Sequence, residues 1–220
     1  ADRLIHTLRG IQRLVYGVVI MSARTGNKQK HETKNPIQRA LIRRFYRKAL
    51  DMVELVQPNS IIDLGCGEGY FLAELVAAGT SANLAGIDFS EDALAEAKSK
   101  LGQRATLECA NLLDLANRED SYDLVTMLEV MEHIDEPEQI LPLLQSLSTG
   151  HILLSVPREP WFCILNFVRG KNLRRWGNDP EHVNHWRRRS FIRWLSPHFE
   201  VLEAPGVFPW TMVLLRKKSN

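Results

Sequence analysis

Two clusters of residues in this 220-residue chain have the types and the spacing to do chemistry. The first is IIDLGCGEGY, residues 61–70: an apolar run, an acid at its end, then Gly65, Gly67 and Gly69, then a helical stretch. Glycines so placed permit a tight turn and a close approach of backbone to ligand. The first amides of the following helix offer donors and a positive dipole end to a carboxylate or phosphate. A dinucleotide fingerprint would need glycine where this chain has Tyr70, which weakens a nicotinamide cofactor. Asp88 ends the next apolar run, 19 residues after Gly69, where a carboxylate can accept hydrogen bonds from both ribose hydroxyls of a nucleoside.

The second cluster is Glu129, Glu132 and His133, at i, i+3 and i+4, which a helical turn would set on one face just after the fourth strand-like run. Two carboxylates and an imidazole make a hard, oxygen-rich site suited to Mg²⁺ or Mn²⁺, and His182 or His185 in PEHVNHW supplies a further ligand. An ion there would lower the pKa of a substrate hydroxyl. Two plainer readings stay open. Asp135 and Glu138 have the spacing of an N-cap and capping box, which would leave Glu132 a solvated first-turn residue. Alternatively His133 works as a general base without a metal.

Arg158, Trp161 and Trp176, with Phe162, Arg169, Lys171, Arg174 and Arg175, mix cations and aromatics in one stretch. Such a mixture stacks on and neutralises an anionic aromatic substrate or unpaired RNA bases. The other reading folds the aromatics onto the core and leaves the arginines solvated.

The elements that must position these residues follow from periodicity. Short β-like runs at Ser60–Leu64, Asn83–Asp88, Ala105–Cys109, Tyr122–Leu128 and His151–Val156 alternate with helical patterns at about Glu68–Ala78, Glu91–Leu101 and Pro137–Leu147. Alternation of this kind predicts βαβ units and a parallel sheet covered on both faces, with ligands at the carboxyl ends of the strands. A longer helix is predicted before the sheet, Ile37–Val56, with Arg39, Arg43, Arg44, Arg47 and Lys48 on its basic face. From Pro157 to about Arg189 the alternation stops, which reads as a substrate-side insertion; a short helix at Ser190–Leu195 and strand-like runs at Glu200–Glu203 and Thr211–Arg216 close the pattern. Near the start, Leu4, Leu8, Ile11, Val15 and Val18 recur at helical spacing, with arginines between them.

With 45% hydrophobic and 25% charged residues the chain can build one ordinary core, and its three cysteines have neither the number nor the spacing of a disulfide scaffold or a CxxC site. A reducing cytosol fits that usage. The longest apolar run, Leu14–Met21, is far short of a membrane span. The net charge of +2 hides segregation: Lys+Arg against Asp+Glu is 12 to 2 in residues 1–50, 4 to 19 in 51–157 and 9 to 3 in 158–193. Basic flanks around an acidic middle attract phosphate, nucleic acid or an anionic membrane, or simply pack on the acidic part.

The DxGxGxG pattern at Asp63–Gly69, the acid at Asp88, a polar residue after the third strand and the fourth strand SYDLVTMLEV together resemble the class I S-adenosylmethionine (SAM) dependent methyltransferases. The resemblance runs from about residue 37 to 217. It implies an α/β fold with a Rossmann-like, seven-stranded, mostly parallel sheet whose last strand is antiparallel, helices on both faces, and SAM across the strand ends. It divides the chain into a basic amphipathic N-terminal extension, 1–36, and a methyltransferase domain, 37–220, with the insertion at about 157–189. Carried over by position, Gly65, Cys66, Gly67 and Gly69 line the methionine end, Asp63 meets the amino group, and Asp88 with Phe89 holds the ribose. Asn111 with Leu112 faces the adenine, and Leu128 and Glu129 flank the cofactor. The segment Glu129–His133 also resembles the ubiquinone-biosynthesis O-methyltransferases, which implies a divalent cation, a phenolic or lipid-like acceptor and peripheral membrane contact, here through residues 1–25. It equally resembles the small-RNA 2′-O-methyltransferases. Glu132 and His133 are then the catalytic pair, on a small-molecule hydroxyl or on RNA. A non-catalytic SAM-binding assembly protein is the third reading.

Overall fold

The computed structural model describes residues 33, 35–115, 118–168 and 183–218. The expected N-terminal helix, Arg169, Lys171, Arg174, Arg175, Trp176 and His182 lie outside them. Contacts divide the chain into Ala1–Ala40 and Leu41–Asn220. In the first unit the described residues open helix α1 (Pro36–Val56). Asn35 caps it, its side-chain oxygen accepting from the amides of Ile37 (2.9 Å) and Gln38 (3.3 Å), with Pro36 at the first helical position.

The second unit is built on strands β1 (Ser60–Leu64), β2 (Asn83–Asp88), β3 (Ala105–Cys109), β4 (Tyr122–Leu128), β5 (Ser148–Pro157), β6 (Phe199–Glu203), β7 (Gly206–Val207) and β8 (Trp210–Lys217). They form one sheet in the order β3-β2-β1-β4-β5-β8-β6, with β7 beside β8. The pairs among β1–β5 are parallel, whereas β8 runs antiparallel to β5, β6 and β7. The predicted sheet is therefore present, with the two-residue β7 added. Further helices are α2 (Tyr70–Ala77), α3 (Glu91–Leu101), α4 (Leu141–Leu147), α5 (Trp161–Val168) and α6 (Arg188–Leu195).

Strand side chains alternate between two buried clusters, as a period of two requires. Ile62, Leu64, Val125, Met127, Ile152, Leu154, Val213 and Leu215 meet α4 and α6 on one face. Ile61, Leu124, Leu153, Met212 and Leu214 meet α1, α2 and α3 on the other. With both faces covered, the strands are the near-continuous apolar runs that the sequence displays.

The differences from expectation lie at punctuation. Helix α2 starts at Tyr70, not Glu68, because Gly69 is its left-handed N-cap (φ 74°). The single helix expected over Pro137–Leu147 is a 3₁₀ turn, Pro137–Ile140, followed by α4, whose second residue, Pro142, has no amide to continue the ladder. The N-cap of that 3₁₀ turn is Glu136 rather than Asp135, and the Glu138 carboxylate accepts from the Trp194 indole (3.1 Å). Helix α5 interrupts the expected irregular insertion: WFCILNFV is a short, nearly continuous apolar run, which sequence alone does not tell from a buried strand.

Candidate functional site

The carboxyl ends of β1, β2 and β4 are adjacent in the sheet, and each delivers an acid. Asp63 on β1 is 4% exposed and accepts a hydrogen bond from the Thr126 hydroxyl of β4 (2.6 Å). Burial raises its pKa; the Thr126 bond opposes this and nearby Asp88 adds to it, so that the group sits at about 7.

The loop after β1 turns on three left-handed glycines, Gly65 (φ 73°), Gly67 (φ 52°) and Gly69 (φ 74°). At Gly65 a Cβ would lie 2.6 Å from Val130 Cγ2, so both conformation and space demand glycine there. The loop is tied to β2: the amides of Gly65 and Cys66 donate to the Ile87 carbonyl (2.8 and 3.0 Å), and the Gly67 amide donates to Asp88 Oδ2 (2.8 Å). Asp88 Oδ1 accepts from the Ser90 amide (2.9 Å), so this carboxylate is already fixed in orientation. Burial pushes the Cys66 thiol well above its usual range, with Asp63 and Asp88 reinforcing the shift; it packs as an apolar side chain. Phe89 and Leu113 stand exposed at the ends of β2 and of the turn after β3. Leu112 leans on the core, and Asn111 Oδ1 caps its own turn by accepting from the Leu113 amide (3.1 Å).

Two participants were not signalled by motif. Lys100 of α3 donates to the Glu68 carbonyl (2.8 Å) and lies 3.9 Å above the Tyr70 ring, gripping the glycine loop from outside. Tyr46 of α1 is stacked on Phe71 (6.2 Å between centroids). Burial raises its phenol pKa well above the ordinary value, with Asp63, Glu74 and Glu129 adding to the shift, so its hydroxyl belongs to the same acidic neighbourhood. The only signal in sequence was a tyrosine on an otherwise apolar helix face.

Beyond β4, Glu129 has φ 59°, a left-handed conformation uncommon for a non-glycine residue. The Ser155 hydroxyl donates to its Oε1 (2.9 Å). The following turn, Met131–His133, is 3₁₀ and excludes Glu129, so the helical face expected to carry all three residues does not form. Glu132 is 1% exposed, which overturns the solvated first-turn reading; its Oε1 lies 3.9 Å from His133 Nε2, and His133 is one-third exposed. His185 faces Glu159 instead (3.7 Å). Among the described residues no three His, Cys, Asp or Glu side chains converge to hold a metal ion. The segment after His182 is nevertheless tied to the turn: the amides of Val183 and Asn184 both donate to the Glu132 carbonyl (3.0 and 3.1 Å).

On the insertion, Arg158 and Trp161 flank the start of α5, with Trp161 45% exposed and edge-on to Phe208. Trp186 packs against Phe191 and Trp194. Among the described residues no helix is long and apolar enough to cross a membrane.

Residues 35–198 match a family model described as a methyltransferase domain, and the chain belongs to that family. It is 30% identical over 111 residues to the ubiquinone biosynthesis O-methyltransferase of Hydrogenovibrio crunogenus, a stretch covering 49% of this chain and 42% of that protein. It is 24% identical over 208 residues to the small RNA 2′-O-methyltransferase of Arabidopsis thaliana, covering 83% of this chain and 22% of that one. Both matches thus span less than half of the relative's length. Among solved structures, the plantazolicin methyltransferase BpumL, in complex with a monoazolic desmethylPZN analog and SAH, shares the fold with a TM-score of 0.71 at 17% identity, over 99% of this chain and 97% of that one.

Proposed function

We propose that this chain transfers a methyl group from SAM to a hydroxyl of a small-molecule or lipid-precursor acceptor. The observation that carries the reading is the glycine loop braced between two buried carboxylates, Asp63 and Asp88, beside the buried Glu132 and its neighbour His133. In this reading the backbone of Gly65, Cys66, Gly67 and Gly69 holds the methionine end, Asp63 takes its ammonium, and Asp88 takes the ribose hydroxyls. Phe89 stands beside Asp88 at the ribose, and Asn111 with Leu112 faces the adenine. Leu128 and Glu129 border the sulfonium.

Methyl transfer needs an in-line approach of a desolvated nucleophile. His133 accepts the acceptor's hydroxyl proton while the oxygen attacks the methyl carbon; the carbon–sulfur electron pair returns to sulfur, leaving S-adenosylhomocysteine (SAH). Glu132, buried beside the ring, stabilises the imidazolium that results. Divalent-ion assistance is the finer form of this reading, with Glu129, Glu132, His133 and either His182 or His185 as the donors expected from the sequence. Turnover that vanishes in EDTA and returns with Mg²⁺ supports the ion, and turnover that survives leaves the proton to His133 alone.

The test is transfer of labelled methyl from SAM to a cell extract, separated into organic-soluble and RNA pools. Label in the organic pool is expected. Label in RNA would replace the acceptor class, and SAH binding with no transfer to any pool would leave a binding protein. His133→Ala is expected to lower turnover by about a hundredfold or more while SAH affinity holds; unchanged turnover would remove the base.

A further inference from the structure

At the carboxyl end of β5 lies an open depression of about 540 Å³, lined by Arg158, Glu159, Trp161, Arg187, Arg188 and Arg189 among others. Its charges do not cancel. Arg188 is committed to the carbonyls of Ala204 (2.6 Å) and Pro205 (3.4 Å). Glu159 turns away from the arginines: its Oε2 accepts from the Cys163 amide (3.3 Å) and its Oε1 lies 3.7 Å from His185 Nδ1, with the side chain only 10% exposed. Arg158, Arg187 and Arg189 make no ion pair among the described residues. Three arginines that make no ion pair among the described residues line one concavity; such a field attracts an anion, and planar guanidinium forks fit carboxylate and phosphate oxygens. An aromatic ledge adjoins them, Trp161 (45% exposed) set edge-on to Phe208 (38% exposed) with ring centroids 5.8 Å apart.

A single stretch of backbone links this depression to the reaction centre. The Glu159 amide donates to the Trp186 carbonyl (2.9 Å), while Val183 and Asn184, at the other end of that stretch, are bonded to the Glu132 carbonyl. The depression and the Glu132–His133 turn are therefore tied to the two ends of the same short stretch, residues 183–186.

We infer that this depression receives the oxyanionic end of the methyl acceptor, a phosphate or carboxylate carried on an aromatic body that rests on Trp161. The inference rests on the methyltransferase reading and names the acceptor's chemistry: an anion anchored by arginines, with its hydroxyl presented toward His133. Glu159 serves as a wall rather than a counterion, since its Oε2 is bonded to the Cys163 amide and it makes no ion pair with the arginines among the described residues.

The test is calorimetric titration of phenyl phosphate, benzoate and inorganic phosphate into the full chain, with SAH titrated separately into the same preparations. One aromatic oxyanion is expected to saturate at about 1 mM or below, and whether it is phenyl phosphate or benzoate identifies the head group. Arg158→Gln with Arg189→Gln should weaken it about tenfold or more with SAH affinity unchanged. Trp161→Ala should weaken the aromatic probes but not inorganic phosphate. Arg189→Gln alone, at an exposed position, repeats the test if the double variant folds poorly. Absence of saturable binding by all three probes, or equal binding by the arginine variants, would overturn the inference. So would an oligoribonucleotide bound about a hundredfold more tightly through the same arginines, with the steep salt dependence of phosphate-backbone contact. SAH failing to bind the parent chain would instead strike the methyltransferase reading, a separate result from the probe titration.

Discussion

Asp63 holds its proton about three orders of magnitude more tightly than a solvated aspartate, because burial denies its charge water and Asp88 stands near, while Thr126 gives back only part of that loss. Two opposite pH dependences result. In the free protein the folded pKa, about 7, exceeds the solvated value of 3.8, so this group's contribution to stability is full below that value and is lost as pH rises through about 7. A ligand ammonium placed against Asp63 favours the carboxylate and expels the proton. SAH affinity should accordingly rise by up to about tenfold per pH unit from about pH 5 to 7 and then level off. Calorimetry across that range checks this, and Asp63→Asn should remove both the slope and the proton release. An affinity independent of pH in the parent chain would place the ligand's amine elsewhere. Residues such as Asp63 and Asp88 were legible from sequence because strand ends and glycine spacing announce them. Tyr46 and Lys100 were not, since their roles come from helices docking on the loop, and no local pattern encodes docking.

At the scale of elements, β1–β4 and α3 occur over the residues expected, because short buried strands punctuated by glycine and acid leave little freedom in where they start and stop. The failures have local causes: Pro142 splits a helix, and α5 is an eight-residue apolar run too short to be told from a buried strand by pattern alone. The turn at Met131–His133 is the instructive case. Spacing of i, i+3 and i+4 speaks for a shared face only if the backbone is helical throughout, and Glu129 at φ 59° is not. The glycine loop behaves as one unit clamped at both ends, and each clamp can be tested. Gly65→Ala combines a left-handed φ with a contact 2.6 Å from Val130, and should lower stability by about 2–4 kcal/mol in chemical denaturation. Adding Val130→Ala should relieve the contact but not the backbone strain, recovering roughly half. Lys100→Met keeps the aliphatic stem over Tyr70 but loses the bond to the Glu68 carbonyl, and should raise the SAH dissociation constant several-fold with little change in melting temperature.

For the whole molecule, β8 does the most to join the parts. Its residues alternate between the two buried clusters, Val213 and Leu215 into one and Met212 and Leu214 into the other, while its edges bond β5 on one side and β6 on the other. Leu214→Ala, at a position 1% exposed, should cost about 2–5 kcal/mol, measured as a fall in denaturation midpoint with little change in slope. A loss under 1 kcal/mol would mean that the strand is held by its ladder rather than by its packing. Charge is also organised at this scale: the acids of residues 51–157 include those at the strand ends, whereas the arginines of 158–193 include those that line the depression. A cationic cofactor and an anionic acceptor would thus meet fields of opposite sign on one protein.

The strand order also has a consequence in time. Among the described residues β6 pairs in the sheet with β8 alone, yet β6 leaves the ribosome first. Until β8 emerges, β6 has no partner in the sheet and β5 presents an open, apolar edge. Synthesis therefore passes through an interval in which strands β1–β5, glycine loop included, can pair while the edge of β5 is uncovered, and such an edge is open to pairing with another chain.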